Sequence, residues 1–380
     1  MKKLICISFA VLSTLSLCGC YDNQEIDTTA YVIALGIDKA EESYNYTFQI
    51  SSPLAMGGGG EINKAGDGEE NTRVENIVIG AENLYEAREV VNNFLSKKIN
   101  LSHLKMIAVS EETAKEGLSH HMSFLLRERE VRPNTRMCIT KDGAEEFLRG
   151  VNPSLEANTA EYYELVFENG AVLTIPKKLW EFVNESENLG TVLPMGRIGE
   201  SENSVEFENK EIKRVSSSKS EFSGLCMIKN YKAVGKLSPQ KSKIYGLLTG
   251  EIPEAEIGIE KNGKVHSVKL TPKGKNKISV RESEEDRTAV MRMTFSAEVT
   301  LSGGEIREKD IEEYLNKEAY AVFLEAQKAN CDIFGIGNCV KSKCKTVGEW
   351  EEIKWEKAFP RIYFLPEIDA EIKRTQIGTV

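Results

Sequence analysis

Apolar and polar positions change period repeatedly along this chain, from two to between three and four and back again. YNYTFQIS, residues 44 to 51, alternates strictly, with Tyr44, Tyr46, Phe48 and Ile50 on one face, and predicts a half-buried strand. AYVIALGI, residues 30 to 37, is an unbroken apolar run of the length of a buried strand. Residues 53 to 71 contain GGGG and few apolar groups, which predicts a long loop. VENIVIG then reads as a strand, and AENLYEAREVVNNFLS as a helix with Leu84, Ala87, Val91 and Phe94 at helical spacing. LKMIAVS is a further short strand, Glu111 to Leu126 is helical again, and Pro176 suits the first turn of a helix through KKLWEFVNE. This β-α-β-α order predicts an α/β layer.

Residues 201 to 222 are rich in Ser, Glu and Lys and poor in apolar groups, which reads as an exposed linker. Beyond it, GLCMIKNYKAVGKLS predicts a hairpin turning at Asn230 and Tyr231. Ser238 then caps, and Pro239 opens, a helix ending near Gly250. MRMTFSAEVTLSG alternates strictly, with Met291, Met293, Phe295, Ala297, Val299 and Leu301 on one face. Arg307 to Asn330 is the longest helix candidate, with Ile311, Leu315, Val322, Phe323 and Ala326 as its core stripe. EWEEIKWEKAFPRIYF reads as an amphipathic helix packing Trp350, Ile353 and Phe359 on the core, with a partner-binding groove as the alternative. Residues 361 to 372 close the chain as an edge strand, because Pro366 interrupts its hydrogen bonding. The fold class is therefore α/β and α+β, a multi-domain body of mixed sheets and packed helices. Its parts are an N-terminal α/β region over residues 20–200, of one or two subdomains, the linker, and a C-terminal α+β domain over residues 223–380.

The first 19 residues break this pattern. Lys2 and Lys3 precede an uncharged, mostly apolar stretch over residues 4 to 17, which is a signal peptide too short to span a bilayer comfortably. Leu17, Cys18, Gly19 and Cys20 place an aliphatic residue at −3, a small one at −1 and a cysteine after the cut, the pattern of lipoprotein processing. Cys20 is thus the lipidation site and the first mature residue; with Cys18 in that role, Leu17 would stand at −1 and fit less well. A diacylglyceryl group on the Cys20 thiol anchors the protein, since each buried methylene contributes about 0.8 kcal/mol and two or three acyl chains hold lastingly.

Removing those 19 residues from 380 leaves 361, enough for two or three domains. Without Lys2 and Lys3, 47 basic residues remain against 59 acidic ones, which argues against nucleic-acid binding and against electrostatic adhesion of the body as a whole to anionic lipid. The four histidines, His103, His120, His121 and His266, stand in no HExxH or cysteine-paired context and read as surface or helix-end residues. GGGG at 57 to 60 lacks the lysine of a phosphate loop, and FGIGN at 334 to 338 reads as a helix stop with a tight turn. No catalytic, cofactor-binding or metal-ligating set emerges, so the chain is not read as an enzyme. Cys138 and Cys226 lie in apolar strand contexts as buried thiols. Cys331, Cys339 and Cys344 cluster within 14 residues, where one local disulfide is expected, with free thiols as the alternative; their spacing lacks the CxxC pairs that zinc favours.

The opening CYDNQEIDTTAYVIALGIDKAE resembles that of the Ger(x)C lipoproteins, the C subunits of nutrient germinant receptors in spore-forming bacteria. The resemblance lies in the cysteine, an aromatic, Asp, Glu-Ile and a strand ending in Gly-Ile-Asp; Tyr21 stands where tryptophan is usual and Gln24 where arginine is common. It continues in GLCMIKNYKAVGKLS, YGLLTGEI, ANCDIFGIG, the Trp350 and Trp355 spacing and the final strand. It implies a three-domain body anchored on the outer face of the spore inner membrane, associated with two multi-pass membrane partners, the A and B subunits. It also implies a non-catalytic scaffold role in spore germination. The alternative is a solute-binding lipoprotein delivering a small molecule to a membrane transporter. Such a receptor has two similar lobes, whereas the halves of this sequence are dissimilar.

Overall fold

A computed structural model describes residues 28–51, 74–153, 155–156, 158–168, 173–187, 189–198, 204–207, 210–213, 219–282, 287–300 and 306–376. The signal peptide, Cys20, the GGGG loop, Leu301 and ten of the 22 residues of the expected linker lie outside the described residues.

The strands of the first half are β1 (Thr29–Lys39), β2 (Tyr44–Ser51), β3 (Val74–Ala81), β4 (Lys98–Asn100), β5 (Met106–Ser110), β6 (Arg136–Thr140) and β7 (Thr191–Ile198). A separate ribbon, β8 (Ser204–Phe207) with β9 (Lys210–Lys213), precedes the hairpin β10 (Ser220–Lys229) and β11 (Lys232–Leu237). One mixed sheet runs in the order β11-β10-β7-β6-β5-β1-β2-β3, with β4 beside the start of β1. Its centre, β1, β5, β6 and β7, is parallel, and antiparallel strands flank it on both sides. The unbroken apolar run of β1 suits this position, because helices cover both faces. On one face Leu35, Ile37, Phe48 and Ile107 meet Leu84, Ala87 and Val91 of the Leu84–Phe94 helix and Phe182 of the Leu179–Ser186 helix. On the other, Ala34, Met106 and Cys138 meet Phe147, Leu148 and Tyr163.

Several expectations are corrected here. The polar residues of β2, Thr47 and Gln49, are fully buried too. Gln49 Nε2 donates to Leu148 O at 3.0 Å and its Oε1 accepts from Tyr163 OH at 2.8 Å, so this amide is satisfied within the protein rather than by solvent, whereas the buried Thr47 hydroxyl has no partner among the described residues. Phe94 is 58% exposed on the last turn of its helix. The helix expected over Glu111 to Leu126 is two, Glu111–Glu116 and Ser119–Arg127, parted at Gly117, whose φ of 140° few side chains tolerate. Pro176 lies ahead of a helix that begins at Leu179. The hairpin, although it follows the expected linker, extends the first sheet through β10 on β7, and β10 starts at Ser220 inside that linker.

The second sheet contains β12 (Ala255–Lys261), β13 (Lys264–Pro272), β14 (Lys277–Glu282), β15 (Arg287–Thr300) and β16 (Tyr363–Gln376). Met291, Met293, Phe295, Ala297 and Val299 are buried in line along β15. The Pro239–Thr249 helix begins with Ser238 Oγ accepting from Lys241 N and stops at left-handed Gly250. It packs with the Glu308–Lys328 helix in a core shared by the second sheet and by Leu225 and Met227 of β10. Strand β16 pairs in parallel with β15 and is an edge. That edge is closed: Asn316, Glu312 and Glu308, one helical turn apart, accept from Ile368 N, Ala370 N and Ile372 N at 3.1, 3.1 and 3.0 Å. A row of side chains thus takes the place of a neighbouring strand and blocks edge pairing. The segment expected as one amphipathic helix is broken at Lys354 into Val347–Ile353, Trp355–Ala358 and a 3-10 turn. Trp355 and Phe359 are buried, while Trp350 and Ile353 rest only partly on the core.

Candidate functional site

Where the two sheets meet, the chain leaves the Glu308–Lys328 helix through left-handed Asn330 and enters CDIFGIG. Asp332 N donates to Leu189 O at 3.0 Å, which ties this turn to the lead-in of β7. The Asp332 carboxylate accepts from Ile336 N at 3.0 Å and Gly337 N at 2.6 Å and so starts the Ile336–Lys341 helix. Burial pushes its pKa up to about 6, against the lowering effect of those backbone donors. The expected helix stop therefore lies at Asn330, and Gly335, with φ of 67°, opens the next helix.

The disulfide expected among Cys331, Cys339 and Cys344 is not formed; all five cysteines among the described residues are free. The reason is direction. Cys331 Sγ donates to Ile228 O on β10 at 3.5 Å and packs on Gly190, whereas Cys339 Sγ donates to Ile278 O on β14 at 3.5 Å. Cys344 Sγ turns back to Val340 O at 3.6 Å. Burial pushes the Cys331 thiol up to about 12 and raises that of Cys339, so neither is a ready nucleophile. Brief treatment of the native protein with a thiol reagent is expected to label Cys344 first and to leave Cys138, Cys226 and Cys331 unmodified. A mass two hydrogens short among these peptides would show a disulfide instead.

The histidines are the second surprise, because His121 and His266 are buried. His121 lies in the Ser119–Arg127 helix beneath Tyr44, with its ring edge-on at 4.5 Å, and its Nδ1 is 3.2 Å from Tyr46 OH. Tyr46, His121, Asn83, Ser123, Phe124 and Arg127 help line a cleft of about 460 Å³. Burial pushes His121 down to about 4 and raises the Tyr46 phenol, so both are neutral at pH 7. Ser123 Oγ donates to Ser119 O rather than to a histidine, so no nucleophile and base are joined here. The signal missed in the sequence is the helical spacing of His121 to Leu125, both buried on the core side of one helix.

A depressed histidine pKa means that the folded state binds fewer protons than the unfolded chain. His121 therefore withdraws stability as pH falls from about 6.5 towards about 4, by up to about 3 kcal/mol. Asp332, with its raised value, works in the opposite sense as pH falls through about 6. Urea unfolding of wild type and His121→Phe between pH 7 and pH 4 separates the two, with the variant expected to lose less stability on acidification.

Among the described residues no helix is long and apolar enough to cross a membrane, and no three His, Cys, Asp or Glu side chains gather to hold a metal ion. Cys20 lies outside those residues.

Family models match in order along the chain: a spore germination protein N-terminal domain over residues 22–198, and a spore germination B3/GerAC-like C-terminal domain over residues 223–376. Spore germination protein KC of Bacillus subtilis (strain 168) is 23% identical, over 98% of this chain and 94% of that protein. Spore germination protein GerQC of Bacillus cereus is 24% identical, over 98% of both chains. The crystal structure of the GerBC protein superposes with a TM-score of 0.56 at 16% identity, covering 90% of this chain and 97% of that one, which shows a shared fold.

Proposed function

Since the chain belongs to the Ger(x)C spore germination family, we propose that it is the membrane-anchored lipoprotein subunit of a spore nutrient germinant receptor, acting as a non-catalytic scaffold. Its site is the outer face of the spore inner membrane, held by diacylglyceryl on Cys20, and its partners are the polytopic A and B subunits. The observation that carries this reading is the match of both family domains, in order, across nearly the whole chain. The closed edge of β16 blocks strand addition at that edge.

Tethering confines the body to two dimensions, so that contacts too weak to hold in solution become occupied. Spores in which the only copy is a secreted, unacylated chain are expected to germinate poorly with nutrients, although the protein accumulates and folds. Full nutrient germination in such spores would show that the anchor is dispensable.

A further inference from the structure

The end of the large sheet where the chain enters is chemically unlike the rest of this acidic protein. Strand β1 begins there at Thr29 with β4 beside it, and the parallel strands β5 and β6 begin further along, at Met106 and Arg136, level with Ala34 of β1. The Leu84–Phe94 helix ends there and the Leu179–Ser186 helix starts there, both on the same face of the sheet. Each leaves an aromatic uncovered: Phe94 is 58% exposed and Trp180 is 48% exposed. Lysines follow Phe94 closely, with exposed Lys98 beside Thr29 in the β4 ladder and half-buried Lys97 lining a cleft with Thr29. The loop ahead of β6 adds exposed Arg129 and Arg132. That loop is fixed at this end, because Glu130 accepts from Leu101 N at 2.8 Å and Trp180 N donates to Pro133 O at 3.1 Å. Of the carboxylates nearby, Glu128 and Glu130 are held by Arg88, and Glu75 lies in the cleft with Lys97. In the cleft beside Trp180, Glu168 is held by Arg136, Glu185 by Lys177 and Glu181 by the Lys178 N–H, with exposed Glu251 at its rim. The opposite end of β1 carries exposed Glu41 and Glu42 in its turn to β2.

We propose that this end of the body rests in the lipid headgroup layer, with Phe94 and Trp180 at the interface and Lys97, Lys98, Arg129 and Arg132 on anionic headgroups. The inference rests on acylation of Cys20. Thr28 is the eighth residue after Cys20, so even a fully extended chain spans at most about 28 Å between them. The entry end of the sheet is thereby held near the bilayer, whereas β1, with its 11 residues, carries Glu41 and Glu42 about 35 Å further along. Amphipathic aromatics favour the headgroup level, and clustered cations are drawn to an anionic surface within a Debye length. The tether, the aromatics and the charge asymmetry all select the same end.

The test uses the full acylated chain in vesicles of phosphatidylcholine and phosphatidylglycerol whose acyl chains are brominated close to the headgroup. In a Trp180→Phe background, a tryptophan is introduced by Phe94→Trp or, at the far end, by Glu42→Trp. The first is expected to lose most of its emission above that of Trp350 and Trp355, and the second to be unaffected. Adding Lys97→Glu and Lys98→Glu to the first should restore much of the emission. Quenching at neither position on vesicle-bound protein overturns the proposal and leaves the patch to a protein partner. Quenching that is equal, or stronger at position 42, overturns the orientation. Intact mass before reconstitution separates these outcomes from failure of the anchor itself: a chain without acyl groups that stays off the vesicles overturns both readings.

Discussion

Cys20→Ala is expected to abolish incorporation of a fatty-acid probe and to move the protein from the membrane fraction to the soluble one. The effect should be close to all or none, because one acyl chain alone gives only marginal, reversible binding, and this substitution removes every chain at once. The helices of the body offer nothing in exchange, since none of those described is apolar and long enough to cross the bilayer. The fold should be untouched, as Cys20 stands eight residues before the first described position, Thr28. Cys18→Ser should leave labelling nearly unchanged if, as proposed, cleavage falls before Cys20 and removes residue 18. Label retained by Cys20→Ala would overturn the assignment.

Asp332→Ala is expected to be the most damaging single substitution at the junction of the two sheets. It leaves the buried N–H groups of Ile336 and Gly337 without their acceptor, while neighbouring Cys331 and Gly190 remain packed against each other. Hydrogen bonds to charged groups contribute about 1.5–3 kcal/mol each, and removing a buried ionised carboxylate gives part of that back. The net loss should be about 2–4 kcal/mol in urea unfolding at pH 7. Asp332→Asn keeps one carbonyl acceptor and should lose less. An Asp332→Ala protein as stable as wild type would show that Asp332 does not hold the junction.

What was legible in the sequence was local. Ser238, Pro239 and Gly250 mark both ends of a helix because a cap, a fixed φ and a left-handed stop act within a few residues. The alternation of Met291 to Val299 and the stripe from Ile311 to Ala326 follow from burial on one face. Illegible features depended on partners distant along the chain. Nothing local tells β10 to add to β7, because that pairing is decided by which sheet has an open neighbour. His121 reads as polar until Tyr46, 75 residues away, supplies a phenol. Three thiols within 14 residues suggested a bond, but Cys331 and Cys339 turn towards different sheets. Asp332 carried a weak signal, a carboxylate a few residues ahead of the Gly-Ile-Gly that opens a helix. Cys20, on which the functional reading most depends, lies outside the described residues, and its reading rests on sequence because a peptidase reads sequence rather than fold.

The most direct measurement of the receptor-subunit account is affinity purification of a tagged, full-length chain from detergent-solubilised spore membranes, with everything retained identified by mass spectrometry. Two polytopic membrane proteins in constant ratio to the chain, lost together when the membranes come from spores lacking either one, are the predicted result. A chain that purifies without them, and whose melting temperature rises by several degrees with one amino acid or sugar, would contradict it and favour a free-standing solute-binding lipoprotein.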